Sequence, residues 1–206
     1  MTATATSQER DSQQDEFNQV ILDLLPKQGR WGVEAYLWLT DDTNRLVEFS
    51  DGVIEVLPMP TRKHQAILKF LFRLLDVLME QTGGTVFFAP LRLQVAPRKF
   101  REPDLMLLLL ADDPRGENRY WLGADLVVEV VSADKPERDV VAKVADYAEG
   151  GIPEYWIVNP LNESITVLRL EGAAYVTHGV FARGEQATSA LLPAFVVEVS
   201  AALDAK

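Results

Sequence analysis

The chain has 206 residues, 48% of them hydrophobic, with 20 Lys+Arg against 31 Asp+Glu, two His, no Cys and a formal charge of −11. That length and apolar fraction suit one packed globular domain and exclude a collagen-like or wholly disordered chain. Without Cys there are no disulfides, thiol nucleophiles or Cys-held zinc sites, and two His cannot build a three-His centre, so any metal should be a hard ion held by carboxylates.

Met1 to Gln14 is rich in Thr, Ser, Gln and acids and has no apolar segment, so it reads as a disordered tail and neither a secretory signal nor an Arg-rich transit peptide. We divide the chain into a tail, 1–16, and a single domain, 17–206. Phe17 to Leu25 reads as a short helix ending at Pro26, and Trp31 to Leu39 as a second. Val47 to Val56 is two apolar runs about Asp51-Gly52, a strong hairpin signal. From Thr61 to Gln81 the positions Ile67, Leu68, Leu71, Leu74, Leu75 and Leu78 recur at three- and four-residue spacing, which predicts a long amphipathic helix closed by Gly83-Gly84.

Three strand-like runs follow with no helix between them: Thr85 to Val95 bent at Pro90, Asp104 to Leu110, and Leu126 to Val131. Their lengths suggest a meander. Pro136 and Glu137 then open a helix whose apolar face is predicted to be Val140, Val141, Val144 and Ala148, ending at Gly150-Gly151. Glu154 to Val158 is a further strand, Ile165 to Leu170 and Ala174 to His178 form a hairpin about Glu171-Gly172, and short segments near Leu191 to Val199 close the chain. No apolar run reaches about 18 residues, so no membrane span is expected and the protein should be cytoplasmic.

Charge is unevenly spread. Thr61 to Arg101 holds eight basic residues against Asp76 and Glu80, a local +6 in an acidic chain. Such a stretch is either a solvated helix face with a charged loop or a surface that meets phosphates.

Two acids stand out beside it. Asp104 follows Pro103 at the entry of one predicted strand, and Glu129 lies inside Leu126 to Val131, a run apolar on both faces and so a central strand. A carboxylate buried there must be protonated, paired with a base, or holding a cation. If the two strands pair antiparallel, the start of one opposes the end of the other, and Asp104 and Glu129 become neighbours suited to Mg²⁺ or Mn²⁺. At ~100° per residue Lys143 lies roughly 120° from the centre of the predicted apolar face, beside Tyr147, where it either reaches the strand ends or pairs with Asp139 at i,i+4.

These residues carry a resemblance. The order helix, three strands, helix, strand, with Pro103-Asp104 and then Glu129, resembles the PD-(D/E)XK nuclease superfamily. Glu48-Phe49-Ser50-Asp51-Gly52, His64-Gln65, Arg101-Glu102-Pro103-Asp104, Asp125 to Ser132, Lys143, and Tyr147 through Gly151-Ile152-Pro153-Glu154-Tyr155-Trp156 resemble the Uma-two family of restriction endonuclease-like proteins from about Trp31 onward. The resemblance implies an α/β restriction endonuclease-like core with an added N-terminal hairpin and C-terminal β hairpin. It implies that Asp104 and Glu129 bind the divalent metal and that a lysine assists. The superfamily's usual lysine position, two after Glu129, is Val131, and Lys143 on the following helix is the matching residue. Glu48 and His64 match further family positions and offer a supporting ligand or general base.

The leading expectation is therefore a Mg²⁺- or Mn²⁺-dependent nuclease, with Asp104, Glu129 and Lys143 as the catalytic set. Arg98, Lys99 and Arg101 would meet the nucleic acid, DNA in the first instance. The rival from another class is a non-catalytic nucleic-acid-binding or regulatory oligomeric module that retains the fold. A third reading is a carboxylate-metal hydrolase for a small phosphoester. Trp38 and Tyr155 are expected to be exposed aromatics suited to a homodimer face, with Trp156 in the core and His178 structural.

Overall fold

The computed structural model describes Asp15, Gln19, Val20 and residues 22–206. The tail expected at 1–16 falls, apart from Asp15, outside the described residues. Of the first predicted helix, Gln19, Val20 and Leu22 to Leu24 are helical.

The elements in chain order are α1 (Val33–Asp41), β1 (Val47–Ser50), β2 (Val53–Val56), α2 (Arg62–Thr82), β3 (Thr85–Phe88), β4 (Leu93–Ala96), β5 (Lys99–Arg101), β6 (Leu105–Leu108) and β7 (Leu126–Val130). A π-helical turn (Arg138–Ala142) then runs into α3 (Lys143–Glu149), followed by β8 (Glu154–Asn159), β9 (Ser164–Glu171), β10 (Ala174–Ala182), β11 (Gln186–Thr188), β12 (Val196–Glu198) and α4 (Val199–Leu203). Strands β10-β9-β8-β7-β6-β3 form a six-stranded sheet, β2-β1-β5-β4 a four-stranded one, and β11-β12 a ribbon. The pair β7/β8 is parallel, as a strand–helix–strand crossover requires; the other pairings in the large sheet are antiparallel.

The two-residue period of β7 sorts its side chains between two cores. Leu126, Val128 and Val130 join Ile67, Leu71, Leu75 and Met79 of α2 beneath the large sheet. Val127 and Val131 face the other way, with Tyr147, Tyr155 and Ile157. Glu129 shares that second face by alternation. Trp31, Tyr36, Leu37, Val47, Phe49 and Phe100 make a third cluster between α1 and the small sheet.

Three expectations are corrected. The run Thr85 to Val95 is two strands in different sheets: β3 pairs with β6, β4 pairs with β5, and the chain turns between them at residues 89–92. β5 itself, three residues long and carrying Lys99 and Arg101, has no apolar run to announce it. The second correction concerns the helix after Pro136. Its first turn is π-helical, and the face it packs inward is the polar one, opposite the predicted apolar face. Val141 is consequently 65% exposed and Val140 also faces outward, while Asp139, Lys143, Asp146 and Tyr147 form the buried face. Tyr155 is likewise in the core, fully buried and donating its hydroxyl to the carbonyl of Asp139, and so unable to serve a dimer face; Trp38 is 68% exposed.

The β1–β2 turn takes φ values of 48° at Asp51 and 93° at Gly52, the two positive values of a type I′ hairpin. Gly52 also accepts hydrogen bonds at its carbonyl from Gly29 (2.8 Å) and Trp31 (3.1 Å). A Cβ there would lie 2.7 Å from the Gly29 carbonyl oxygen, whereas one at Gly172 (φ 63°) would meet nothing within 4 Å. Gly172→Ala should cost only the left-handed penalty of about 1–2 kcal/mol, and Gly52→Ala clearly more, because backbone must move. Urea denaturation of the two variants checks this; equal losses would mean that the approach of residues 29–31 does not constrain the turn.

Candidate active site

The register Leu105↔Val128 places Asp104 and Glu129 at adjacent ends of β6 and β7. Asp104 accepts a hydrogen bond from the Val130 amide at Oδ2 (2.7 Å), and His64 Nε2 stands 3.0 Å from the same oxygen. His64 is positioned by the start of α2, where Thr61 caps the helix by accepting from the His64 amide. Burial opposes the imidazolium, but the Asp104 carboxylate outweighs it and holds His64 above its ordinary range.

Glu129 is buried. Its Oε1 accepts from Lys143 Nζ (2.7 Å) and Tyr147 Oη (2.5 Å). Lys143, 2% exposed, also lies 3.3 Å from Glu48 Oε1 on β1 and 3.3 Å from Asp139 Oδ1 on the π turn. Burial would strip its proton, yet the carboxylates, Glu129 foremost, raise it above the ordinary lysine range. Burial pushes Glu129 and Asp139 up, with Lys143 pulling each part of the way back. Glu102, whose Oε2 accepts from the Val47 amide, is pushed to about 8 by burial and by the charge of Glu48.

One cavity of about 320 Å³ is lined by His64, Glu102, Asp104, Glu129, Asp139 and Lys143, with Arg138 also on its wall. Glu48 lies behind Lys143, on a separate small cleft. The structure thus brings Asp104, Glu129, Lys143 and His64 to one cavity, with Glu48 in contact through the lysine.

The basic trio is placed differently. Arg101 is buried and donates to Asp146 Oδ2 through Nε (3.0 Å) and Nη2 (2.6 Å), and to the carbonyls of Phe49 and Phe100 through Nη1. Lys99 is held by Asp146 (3.2 Å) and Glu149 (2.5 Å). These two cations clamp the small sheet to α3. Arg98 alone of the three keeps a largely exposed side chain, over the ring of Phe49.

Glu102, Asp139 and Arg138 received no site role from the sequence. The signals available were the Arg-Glu-Pro-Asp motif for Glu102 and the i,i+4 spacing to Lys143 for Asp139.

Among the described residues no three His, Asp or Glu side chains converge as a ready-made metal cage. The donor set nonetheless suits a hard divalent ion: Mg²⁺ commonly takes one or two carboxylates and keeps water or substrate oxygens for the rest. Three carboxylates, Glu48, Glu129 and Asp139, share Lys143, with Arg101 3.8 Å from Glu48 and Arg138 3.7 Å from Asp139.

The profile of the Uma2 (Uma-two) family, described as "Putative restriction endonuclease", matches residues 33–202. The chain belongs to the Uma2 family. Its restriction endonuclease-like α/β fold is shared with a crystal structure from Anabaena variabilis described as "a putative nuclease belonging to DUF820". That likeness has a TM-score of 0.70, covers 82% of this chain and 96% of that one, and comes with 20% identity. No curated protein matches the chain. In this Uma2 chain Val131 is buried among Tyr147 and Ile157 on the Glu129 face, and Lys143 brings its amine to Glu129 from the neighbouring helix.

The cluster makes an asymmetric prediction for stability. Lys143→Met leaves three buried carboxylates without their shared cation and should cost about 3–5 kcal/mol. Glu129→Gln removes one of three acids and leaves Lys143 paired with Glu48 and Asp139, so it should be neutral or stabilising. Chemical denaturation of both variants without metal checks the contrast; a Glu129→Gln protein as damaged as Lys143→Met would make Glu129 an essential half of a structural ion pair.

Proposed function

We propose that this protein is a divalent-metal-dependent nuclease that hydrolyses phosphodiester bonds in nucleic acid. The observation that carries the reading is the pairing of two strand-end carboxylates, Asp104 and Glu129, on one cavity, with the Lys143 amine hydrogen-bonded to the second.

Asp104 and Glu129 would hold Mg²⁺ or Mn²⁺, which when bound supplies Lewis acidity, making water easier to deprotonate and offsetting phosphoryl charge. The chain's own residues set up the rest. We assign Lys143 the role of a cation. It fixes the orientation of Glu129, with Tyr147 on the same oxygen, and presents a preorganised positive charge where negative charge develops on phosphorus oxygens. His64, hydrogen-bonded to Asp104, can carry a proton at the cavity wall. One observation favours the rival reading of a non-catalytic nucleic-acid-binding or regulatory module: the Lys143 ammonium is already surrounded by three carboxylates. Among the described residues no helix is long and apolar enough to cross a membrane.

Mn²⁺ should raise the melting temperature of the wild type, since a native-state ligand contributes ~2.7 kcal/mol at a hundredfold excess over Kd. Asp104→Asn should abolish that shift together with any Mn²⁺-dependent cleavage of DNA or RNA. Cleavage that survives Asp104→Asn, or a wild type indifferent to Mn²⁺, would overturn the assignment.

A further inference from the structure

The cavity that contains Asp104 and Glu129 has two unlike parts. One is the charged cluster. The other is an apolar wall supplied by Leu57, Pro58, Met59, Leu68, Phe88 and Pro90. Phe88 is half exposed and Met59 more so. Phe88 is braced edge-on by Phe72 of α2, with ring centroids 5.4 Å apart and planes at 88°. Catalysis at a phosphodiester explains the acids but not a hydrophobic wall beside them.

Arg138, on the same cavity, has an unusual environment. Its Nε and Nη1 are buried without a hydrogen-bond partner among the described residues. The nearest carboxylate oxygens are 3.7 Å (Asp139), 3.8 Å (Asp134) and 3.9 Å (Glu55) away. By contrast, Arg92, Arg101 and Arg115 each donate to a carboxylate at 2.6–2.8 Å. Neither atom is open to the cavity as it stands, but no carboxylate holds the guanidinium at hydrogen-bond distance, so the side chain can turn its donors toward a ligand with several oxygens on one centre, such as a phosphate.

Phosphate-seeking donor and apolar wall together match one nucleotide: a phosphate joined through a sugar to a flat base. In a duplex the base faces are stacked inside, and the wall would meet only sugar and phosphate. Duplex affinity also rests on many phosphate contacts from Lys and Arg, yet here Lys99 and Arg101 are committed to Asp146 and Glu149 on a chain of net charge −11. An unpaired base offers its face, and aromatic side chains accept it with little regard to sequence. The volume of about 320 Å³ lies at the small-ligand end of binding cavities.

Resting on the nuclease reading of the same site, we infer that its ligand is single-stranded nucleic acid, one unpaired nucleotide of which enters the cavity with its base against Phe88 and Met59 and its phosphate on Arg138.

The test uses the full chain with Ca²⁺ in place of Mn²⁺, and an end-labelled oligonucleotide presented as a deoxy strand, as a ribo strand, and as the deoxy strand annealed to its complement. Binding is read by fluorescence anisotropy. At least one single strand should bind about fivefold or more tightly than the duplex. Phe88→Ala should weaken single-strand binding by at least about fivefold, the lower end of an aromatic–base stack, and Phe88→Trp should restore it. Arg138→Gln should weaken the single strand while melting within a few degrees of the wild type. Duplex binding as tight as either strand, or single-strand affinity indifferent to both Phe88 variants, would overturn the inference, as would a free mononucleotide that binds as tightly as the strand. Phe88-dependent single-strand binding without cleavage under Mn²⁺ would sink the nuclease reading and leave this inference standing; Mn²⁺-dependent cleavage of duplex in preference to single strands would do the reverse.

Discussion

One ammonium ties this molecule together. Lys143 begins α3, and its Nζ meets Glu48 from the small sheet, Glu129 from the centre of the large sheet and Asp139 from the π turn. Each of those acids is too buried to be left unpaired, and none has the cation to itself. Arg101 repeats the pattern one turn further along α3, joining β5 to Asp146 while its Nη1 bonds the Phe49 carbonyl of β1. The two sheets share no strand, so these buried ionic contacts set the small sheet against the large one. They also set Glu48 against Glu129. Because three acids from three elements need the same positive charge, the docking of those elements and the electrostatics of the cavity are one constraint.

The helix after Pro136 has two faces, and it is the polar one that turns inward. Val140, Val141, Val144 and Ala148 share one side at ~100° per residue, which is how the apolar spacing reads. Asp139, Lys143, Asp146 and Tyr147, at the same three- and four-residue spacing, share the opposite side and are buried. A face of two acids, a lysine and a tyrosine has no hydrophobic periodicity to detect. This explains why the fold was more legible than the site. Strong local signals specified α2, the Asp51-Gly52 hairpin and the central strand bearing Glu129, and strand pairing then made Asp104 its neighbour. The division of residues 85–96 between two sheets was not legible, because β5 is three residues long and a strand's partner is a long-range choice. Lys143 was readable as a candidate through its family position, but its enclosure by three carboxylates depends on which face of the helix packs inward and on the long-range placement of Glu48 and Glu129 beside it.

Charge gave a partial reading for a related reason. The basic stretch from Thr61 to Arg101 is real in sequence, yet much of it is consumed internally: Lys63 and Lys69 reach carbonyls at the C-terminus, Arg92 joins Asp41, and Lys99 and Arg101 hold α3. A cation paired with a carboxylate no longer presents net charge to a polyanion. Local surplus in sequence therefore overstates the field available at the surface, and a cation lacking close acceptors, such as Arg138, matters more than a larger number already engaged.

The cavity is built from parts of different rigidity. Its charged end rests on β6, β7 and α3, whose backbones are fixed by sheet pairing and two apolar cores, with Glu129 tied to Glu48 and Asp139 through Lys143. Most of its apolar wall comes from residues 57–60 after the first hairpin and from the end of β3 and the turn after it, Phe88 and Pro90, with Leu68 of α2 beside them. Charged groups on regular elements keep geometry to the tolerance that phosphoryl chemistry demands, while loop residues can change size and shape without disturbing the pairs behind them. The same fold can therefore alter what it recognises by exchanging Met59 or Phe88. Replacing the cation at the charged end is far harder, because Lys143 answers to Glu48, Glu129 and Asp139 together and, through them, to both sheets.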